Sequence, residues 1–302
     1  MTGVTHDGMA VEPGDALAAL GFLATSDPVR LTGGWDTLLW RFTADDGSDH
    51  VLRCFHLPGA AETARRERIA LEACAAAGLT APRIEAVGEF HGLPIAVQCW
   101  CPGTPLLTLL EKRPWAVGRL GRLFGSTQAR LHEVTAPNEL QATAPRDWAS
   151  RVGDEYAHLA EEAISLAPST ATLIHLDYHP LNVVVDKRGQ AAVIDWEFVA
   201  AGDPRADLAV TAATLLAAPL PPGPLRPLLN LTRTLVMRTW ERGYRDIVGT
   251  MPDYRPLLPW AGAMLLCQTE MALGREGVWG TEKDLESLRR LIPVWTKDAA
   301  RR

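Results

Sequence analysis

Three oxygen-bearing side chains, Asp177, Asn182 and Asp195, have the types and the spacing that suit phosphate chemistry. Asp177 and Asn182 stand in one polar segment, and Asp195 follows a short apolar run at 191–194. A carboxamide and a carboxylate both offer oxygen to a hard cation such as Mg²⁺, which binds a few protein oxygens together with phosphate oxygens and water. A further carboxylate, Asp177, would accept the proton of a substrate hydroxyl. The competing interpretation is that Asp177 and Asn182 are turn residues and that Asp195 caps a strand end.

A predicted β-hairpin positions these residues. The β-branched runs at 182–185 and 191–194 are joined by the turn Asp-Lys-Arg-Gly at 186–189. Because the two strands of a tight hairpin lie side by side, residues that border one strand come close to residues that border the other. The pattern therefore predicts that Asn182 and Asp195 lie near each other.

The joint pattern resembles the catalytic and metal-binding loops of the protein-kinase-like fold, with His-x-Asp-x4-Asn at 175–182 and Val-Ile-Asp-Trp-Glu at 193–197. Together with Gly-Asp-Pro-Arg-Ala-Asp-Leu-Ala at 202–209, it is similar to the aminoglycoside phosphotransferase family in particular. The resemblance extends from about residue 30 to residue 275. One departure is Leu176, where the family usually has glycine. We expect this side chain to require apolar neighbours and the activity to be retained.

The resemblance implies roles for the residues of these segments. Asp177 would orient and deprotonate an acceptor hydroxyl, and Asn182 and Asp195 would hold Mg²⁺. Two histidines, His132 and His179, are expected to be structural rather than to transfer protons. Three further residues would support the catalytic segment, two of them as loop and helix-cap carboxylates: His175, Asp203 and Asp207.

The first 111 residues contain no lysine, although a kinase-like fold needs a cation on a central strand to bind the α- and β-phosphates. The resemblance places this cation in the strand at 51–55, where the residue is Arg53. Arginine stays charged and binds phosphate bidentately, so it would preserve the electrostatics while changing the geometry. Its expected partner is Glu67, with Glu62 and Glu72 as alternatives. The competing interpretation is a surface arginine beside a solvated helix face.

Two further segments would contact the nucleotide, which the resemblance implies is ATP or GTP. Gly33 and Gly34 would cover the phosphates, because a turn without side chains lets backbone N–H groups approach anionic oxygens. The segment 96–100 aligns with the hinge, where backbone groups would bond the base and side-chain identity would be uninformative. The hinge residues in question are Gln98, Cys99 and Trp100.

The resemblance implies an α+β, two-lobed, protein-kinase-like fold, and the order of the predicted elements agrees with it. The first hundred residues read β-β-β-α-β-β, and the helix at 60–77 stops at Gly78. We expect a small β-rich nucleotide-binding lobe at 1–101 and, after a linker at 102–105, a larger, mainly helical catalytic and acceptor-binding lobe at 102–302. Six helices are predicted in the larger lobe around the catalytic hairpin: 115–133, 148–165, 205–217, 225–242, 256–275 and 281–299.

Composition excludes several other classes of protein. The 302 residues are 47% hydrophobic and 22% charged, which excludes disorder as the main state. The net charge of −6 disfavours nucleic-acid binding. The five cysteines lack disulfide or zinc spacing, and neither a secretory signal nor an apolar run of membrane-spanning length is visible. A cytoplasmic protein without a membrane or nucleic-acid partner is expected.

The resemblance implies that the protein is an ATP-dependent phosphotransferase. It would move the γ-phosphoryl group to a hydroxyl of a small molecule, such as an aminoglycoside-like antibiotic, a sugar or an amino alcohol. Trp196 and Glu197 are the predicted acceptor contacts. The alternative is a catalytically silent nucleotide-binding regulatory module, which the joint presence of the three oxygen-bearing residues disfavours. A protein kinase is disfavoured because no activation segment ending in Ala-Pro-Glu follows Asp195.

Overall fold

A computed structural model of the chain describes residues 4–6, 9–31, 37–141, 149–165, 171–220, 224, 226–274 and 280–301. The N-terminal third is built around a β-sheet, and most of the remainder is helical. This division agrees with the predicted two-lobed α+β architecture.

The N-terminal elements carry a five-stranded antiparallel sheet with the order β3-β4-β5-β7-β6. Turn chemistry sets its connections: Gly47 and Gly92 adopt φ values of 82° and 78°, in the left-handed region that glycine enters without steric cost. The β-hairpin formed by the first two strands was not predicted. The elements are β1 (Val4–His6), β2 (Met9–Val11), α1 (Pro13–Ala19), β3 (Val29–Leu31), β4 (Thr37–Thr43), β5 (Asp49–Phe55), α2 (Ala60–Ala76), β6 (Ile84–Phe90) and β7 (Leu93–Cys99).

The central strand β5 positions Arg53. Leu52 and Cys54 are fully buried in the apolar cluster on one side of the sheet. Because side chains alternate along a strand, Arg53 projects to the opposite side, where α2 lies. Neighbouring β4 and β7 place Leu39 and Ala96 directly beside it.

The C-terminal elements surround the predicted hairpin, β10 and β11, in which Val183 pairs with Val193 and Val185 with Ala191. The segment expected as a linker contributes a third strand, because Thr104 and Pro105 of β8 pair with β10. The elements are β8 (Thr104–Pro105), α3 (Leu106–Lys112), α4 (Val117–His132), α5 (Asn138–Gln141), α6 (Ala157–Ser165), β9 (Thr172–Ile174), β10 (Val183–Val185), β11 (Ala191–Val193), β12 (Ala200–Gly202), α7 (Pro204–Ala217), α8 (Arg226–Val248), α9 (Leu258–Ala272) and α10 (Glu282–Ala300).

In the C-terminal region, two predicted helix limits differ from the structure by more than three residues. The helix predicted at 148–165 begins only at Ala157, after a 3₁₀ turn at Asp154–Tyr156. Helix α8 continues past the predicted end at residue 242 to Val248. Gly243 lies inside it because α4 and α8 pack closely there: a Cβ at Gly243 would stand 2.1 Å from the carbonyl oxygen of Arg122.

The main apolar core fills the C-terminal region and extends into α2. Ala70, Leu71 and Cys74 of α2 are buried in this cluster rather than in the cluster of the sheet. Packing therefore crosses the predicted domain boundary between residues 101 and 102, and that boundary stays a prediction. Among the described residues, no helix is long and apolar enough to cross a membrane.

Candidate active site

The loop between β9 and β10 carries Asp177 and is held in an unusual backbone conformation. Leu176 has a φ of 61°, in the left-handed region that L-residues other than glycine seldom adopt. Its side chain is fully buried in the main core, as expected for a leucine in place of glycine. Its backbone N–H donates to Asp207 Oδ1 at 2.5 Å. A buried carboxylate thus fixes the peptide that precedes Asp177.

Asp177 and Asn182 are in direct contact within this loop. Asn182 Nδ2 donates to Asp177 Oδ2 at 2.9 Å and to the Asp177 backbone carbonyl at 3.0 Å. His179 Nε2 lies 3.5 Å from Asp177 Oδ1 and 3.3 Å from Asn182 Nδ2. Burial by itself would lower the pKa of His179, but the Asp177 carboxylate raises it above its ordinary value. The amide nitrogen of Asn182 is therefore hydrogen-bonded to Asp177. The atom of this side chain that can bind a metal is the amide oxygen.

The second strand of the hairpin brings Asp195 to the same loop, as predicted. The backbone N–H of Ile194 donates to the carbonyl oxygen of Asn182 at 2.9 Å. On the other side, His175 Nε2 donates to the carbonyl oxygen of Ile194 at 3.1 Å. Burial lowers the pKa of His175, so the buried ring supports the loop as a neutral donor. Asp195 has a φ of 63°, and its side chain is 39% exposed to solvent.

Asp207 is not a helix cap, which corrects the prediction from the sequence. The cap of α7 is Asp203, whose side chain accepts from the backbone N–H of Arg205 at 2.8 Å. Asp207 lies farther along the helix, fully buried, because its carboxylate binds the catalytic loop instead. Burial by itself would raise the pKa of Asp207, but the hydrogen bond and charge of His132 bring it below its ordinary value.

A buried polar network behind the loop was not predicted, apart from the burial of His132. On α4, Gln128 Nε2 and His132 Nε2 both donate to Asp207 Oδ2, at 3.0 and 2.9 Å. His132 Nδ1 lies 2.8 Å from the Tyr244 hydroxyl, and Trp240 Nε1 donates to Gln128 Oε1 at 2.8 Å. The spacing of Gln128 and His132, four residues apart on one helix face, was the available signal. The network connects α4, α7 and α8 to the peptide before Asp177.

Arg53 lies between the helix α2 and the catalytic hairpin. Its Nη1 is 3.2 Å from Glu67 Oε1, and its Nη2 is 3.8 Å from Asp195 Oδ1. The alternatives Glu62 and Glu72 pair instead with exposed arginines of α2. Burial alone would lower the pKa of Arg53, but nearby carboxylates raise it above its ordinary value, so the guanidinium stays charged.

The side chain of Gln98 makes a specific contact, although side-chain identity in the hinge was predicted to be uninformative. Its amide Nε2 donates to Glu67 Oε1 at 2.7 Å, and the residue is buried. The backbone N–H groups of Cys99 and Trp100 donate to the carbonyl oxygens of Arg83 and Asp49, at 2.9 and 3.0 Å. These two N–H groups are therefore engaged within the sheet region rather than directed at a base.

The two predicted acceptor contacts differ in accessibility. Trp196 is fully buried, packs 4.9 Å from the His175 ring and donates from Nε1 to the Val193 carbonyl oxygen at 3.0 Å. A side chain in that position does not reach an acceptor, so this prediction is wrong for Trp196. Glu197 is partly exposed and close enough to contribute to the raised pKa of Arg53. Gly33 and Gly34 lie outside the described residues.

Comparison with known proteins agrees with the motif-based resemblance. A family model described as APH, "Phosphotransferase enzyme family", matches residues 28–244. No curated protein sequence matches the chain. The family match confirms the resemblance proposed from the loops at 175–182, 193–197 and 202–209.

Solved structures are similar to the chain over nearly its whole length. A thermostable mutant of aminoglycoside phosphotransferase APH(4)-Ia, in a ternary complex with ADP and hygromycin B, is 20% identical, with 96% of this chain and 98% of that chain covered and a TM-score of 0.61. Macrolide 2'-phosphotransferase MphH from Brachybacterium faecium is 18% identical, with 94% and 97% covered and a TM-score of 0.56. A putative fructosamine-3-kinase from Thermobifida fusca YX-ER1 is 16% identical, with 96% and 98% covered and a TM-score of 0.55. These likenesses confirm the predicted fold class.

Proposed function

Because the chain belongs to the APH phosphotransferase enzyme family, we propose that it transfers the γ-phosphoryl group of ATP to a hydroxyl group of a small molecule. The observation that carries this proposal is the convergence of five side chains from four segments of the chain. Asp177 contacts Asn182, and Arg53 on the sheet reaches both Glu67 and Asp195. A cation for phosphates, oxygen ligands for a metal and a candidate base thus lie near one another, because the Ile194 N–H beside Asp195 donates to the Asn182 carbonyl oxygen.

Arg53 is the proposed phosphate-binding cation. It is buried, charged and restrained on one side by Glu67, so its position is preorganised before nucleotide arrives. The longer contact to Asp195, at 3.8 Å, is loose enough for a phosphate oxygen to compete for the same Nη2 group. The guanidinium would then neutralise the negative charge of the polyphosphate, while Glu67 would hold the guanidinium in place beside the sheet.

Asn182 and Asp195 fit a magnesium site. The amide nitrogen of Asn182 is bonded to Asp177, which leaves its amide oxygen as the free donor atom, and the Asp195 carboxylate is accessible. Within the described ranges, no group of three or more histidine, cysteine or acidic side chains is arranged to hold a metal alone. Two protein oxygens supplemented by phosphate oxygens and water match the preference of Mg²⁺. When bound, the ion would offset the negative charge of the phosphates.

Asp177 is the proposed base. Asn182 donates to one of its oxygens, Oδ2, and orients the carboxylate so that Oδ1 faces His179 at 3.5 Å. The carboxylate would take the proton of the acceptor hydroxyl as that oxygen attacks the γ-phosphorus in line. The bond between the γ-phosphorus and the bridging oxygen breaks, and ADP leaves with that electron pair. Positioning and charge stabilisation supply most of the catalysis in this type of reaction.

The proposed acceptor is a hydroxylated small molecule of the classes predicted above. One similar structure was solved with hygromycin B bound, and others are named as a macrolide phosphotransferase and a putative fructosamine-3-kinase. With Trp196 buried, Glu197 is the remaining predicted acceptor contact. A carboxylate at that position suits an acceptor with a cationic amine.

A substrate panel tests the proposal. ATP and GTP consumption is measured with Mg²⁺ across aminoglycosides, macrolides, sugars and amino alcohols, and nucleotide affinity is measured separately by calorimetry. We expect turnover with at least one acceptor, a rate loss of about 10²–10⁴ for Asp177→Asn if it acts as a base, and a comparable or larger loss for Asp195→Ala. The exposed Asp298→Asn on α10 is the matched control and should keep the parent rate. Nucleotide binding without turnover on any acceptor would instead favour the silent regulatory module.

A further inference from the structure

Gln98 connects the strand that leads into the hinge with the helix that carries Glu67. Its amide Nε2 donates to Glu67 Oε1 at 2.7 Å across 31 residues of sequence. Gln98 and Glu67 are only 3% and 1% exposed. A hydrogen bond to a charged group at such depth is strong, because water does not compete for either partner.

Glu67 depends on this bond for its orientation. Its Oε1 receives both contacts, the one from Gln98 at 2.7 Å and the longer one from Arg53 Nη1 at 3.2 Å. Its Oε2 is buried, and the described residues provide no hydrogen-bond partner for it. The Gln98 amide is therefore the closer of the two groups that prevent the carboxylate from rotating.

The Gln98–Glu67 bond lies beside a cleft. The cleft has a volume of about 170 Å³ and is lined by residues of α2, β6 and β7, among them Ala64, Ile84, Glu67 and Gln98. Packing is therefore less dense beside this bond than in a protein interior, which contains few voids larger than a water molecule. On this side of Glu67 the hydrogen bond, rather than close packing, restrains the carboxylate.

Arg53 in turn depends on Glu67. Its other polar contacts are long, with Nη2 at 3.4 Å from Thr37 Oγ1 and 3.8 Å from Asp195 Oδ1. The Nε atom is buried, with no hydrogen-bond partner among the described residues. A displaced Glu67 would leave the guanidinium without a firm contact, and an arginine fork binds phosphate well only when it is correctly oriented.

We propose that Gln98 is a positioning residue for nucleotide binding, which holds the Glu67 carboxylate so that Arg53 meets the phosphates of the donor. The proposal rests on the proposed function. It assigns the side chain of a hinge residue to the phosphate end of the nucleotide rather than to the base.

A double-mutant cycle on nucleotide affinity tests the proposal. Gln98→Leu removes the amide donor at similar volume, Glu67→Gln removes the carboxylate, and a third variant carries both changes. The dissociation constant of Mg·ADP is measured by calorimetry without acceptor. We expect Gln98→Leu to weaken binding about tenfold in the parent, and by less than about threefold in the Glu67→Gln background. The exposed Gln190→Leu in the hairpin turn is the matched control with unchanged affinity.

Steady-state kinetics supply a second readout. Gln98→Leu is expected to raise the KM for ATP about tenfold with the KM for the acceptor unchanged, whereas a general loss of structure would alter both. Equal weakening in both backgrounds, or no weakening at all in a variant with a parent-like unfolding midpoint, would overturn the assignment. A variant that unfolds is replaced by Gln98→Met, for which the same expectations hold. A parent that binds no nucleotide would overturn the proposed function as well, so the two failures are distinguishable.

Discussion

Replacement of Leu176 in the catalytic loop has two opposite effects on stability: it can relieve backbone strain, and it removes buried apolar surface. The residue combines a left-handed φ of 61° with a side chain that is fully buried in the main core. Truncation of a buried leucine to alanine destabilises a protein by about 2–5 kcal/mol. Burial is therefore the larger effect, and both Leu176→Ala and Leu176→Gly should be less stable than the parent.

The two variants should nevertheless have similar stabilities, which is unusual for a buried position. An L-residue in the left-handed region carries about 1–2 kcal/mol of strain, which glycine avoids. The greater conformational freedom of glycine in the unfolded state offsets about 0.5–1 kcal/mol of this advantage. Loss of the buried Cβ methyl group costs the glycine variant a further ~0.8 kcal/mol. Leu176→Gly and Leu176→Ala should therefore agree in stability to within about 1 kcal/mol. At an ordinary buried position glycine is clearly the less stable variant. Leu208, fully buried inside helix α7, provides the control, because glycine in a helix interior is about 1 kcal/mol worse than alanine.

Urea unfolding followed by circular dichroism measures all four variants. The expected result is similar midpoints for glycine and alanine at position 176 and a clearly lower midpoint for glycine at position 208. If glycine is less stable than alanine by the same amount at both positions, the left-handed conformation at Leu176 carries no strain and the reasoning is refuted. A Leu176→Gly variant as stable as the parent would show that burial of the leucine contributes no more than the strain that glycine relieves.

Three further predictions follow from the same geometry. Arg53→Lys keeps the charge but loses the fork that reaches both Glu67 and Asp195, so the KM for ATP should rise about tenfold in steady-state assays; Arg53→Ala with normal ATP affinity would refute the phosphate assignment. Asp207→Asn replaces the carboxylate by an amide, whose NH₂ group would face the donors of the network. The free energy of unfolding, measured with urea, should therefore fall by at least about 2 kcal/mol, and kcat should fall more than KM. A variant as stable as the parent would contradict the network. Burial raises the pKa of Cys54 to about 11 and that of Cys74 to about 12. Since the folded values exceed the unfolded ones, this contribution to stability is complete below the unfolded pKa and is lost as pH rises toward the folded values. Unfolding midpoints should thus fall above about pH 8.5, and less steeply in a Cys54→Ala/Cys74→Ala variant; identical slopes would count against the buried thiols.

The sequence by itself determined the fold class and the spacing of the catalytic segments. A two-strand hairpin brings its bordering residues together by local geometry, so Asn182 and the segment before Asp195 could be placed near each other without a structure. The absence of lysine in the first 111 residues directed attention to Arg53, since the cation could not be a lysine. These inferences needed only short-range periodicity and residue chemistry.

The tertiary structure decided what each side chain contacts, because burial and partners depend on elements far apart in the chain. Trp196 and Glu197 are adjacent in sequence, yet one is enclosed by the core and the other is partly exposed. Asp207 lies in a helix start that resembles a cap, but the catalytic loop 31 residues earlier folds onto it. Gln98 donates a hydrogen bond to Glu67 on a different element, and no local sequence pattern encodes a contact between the sheet and this helix.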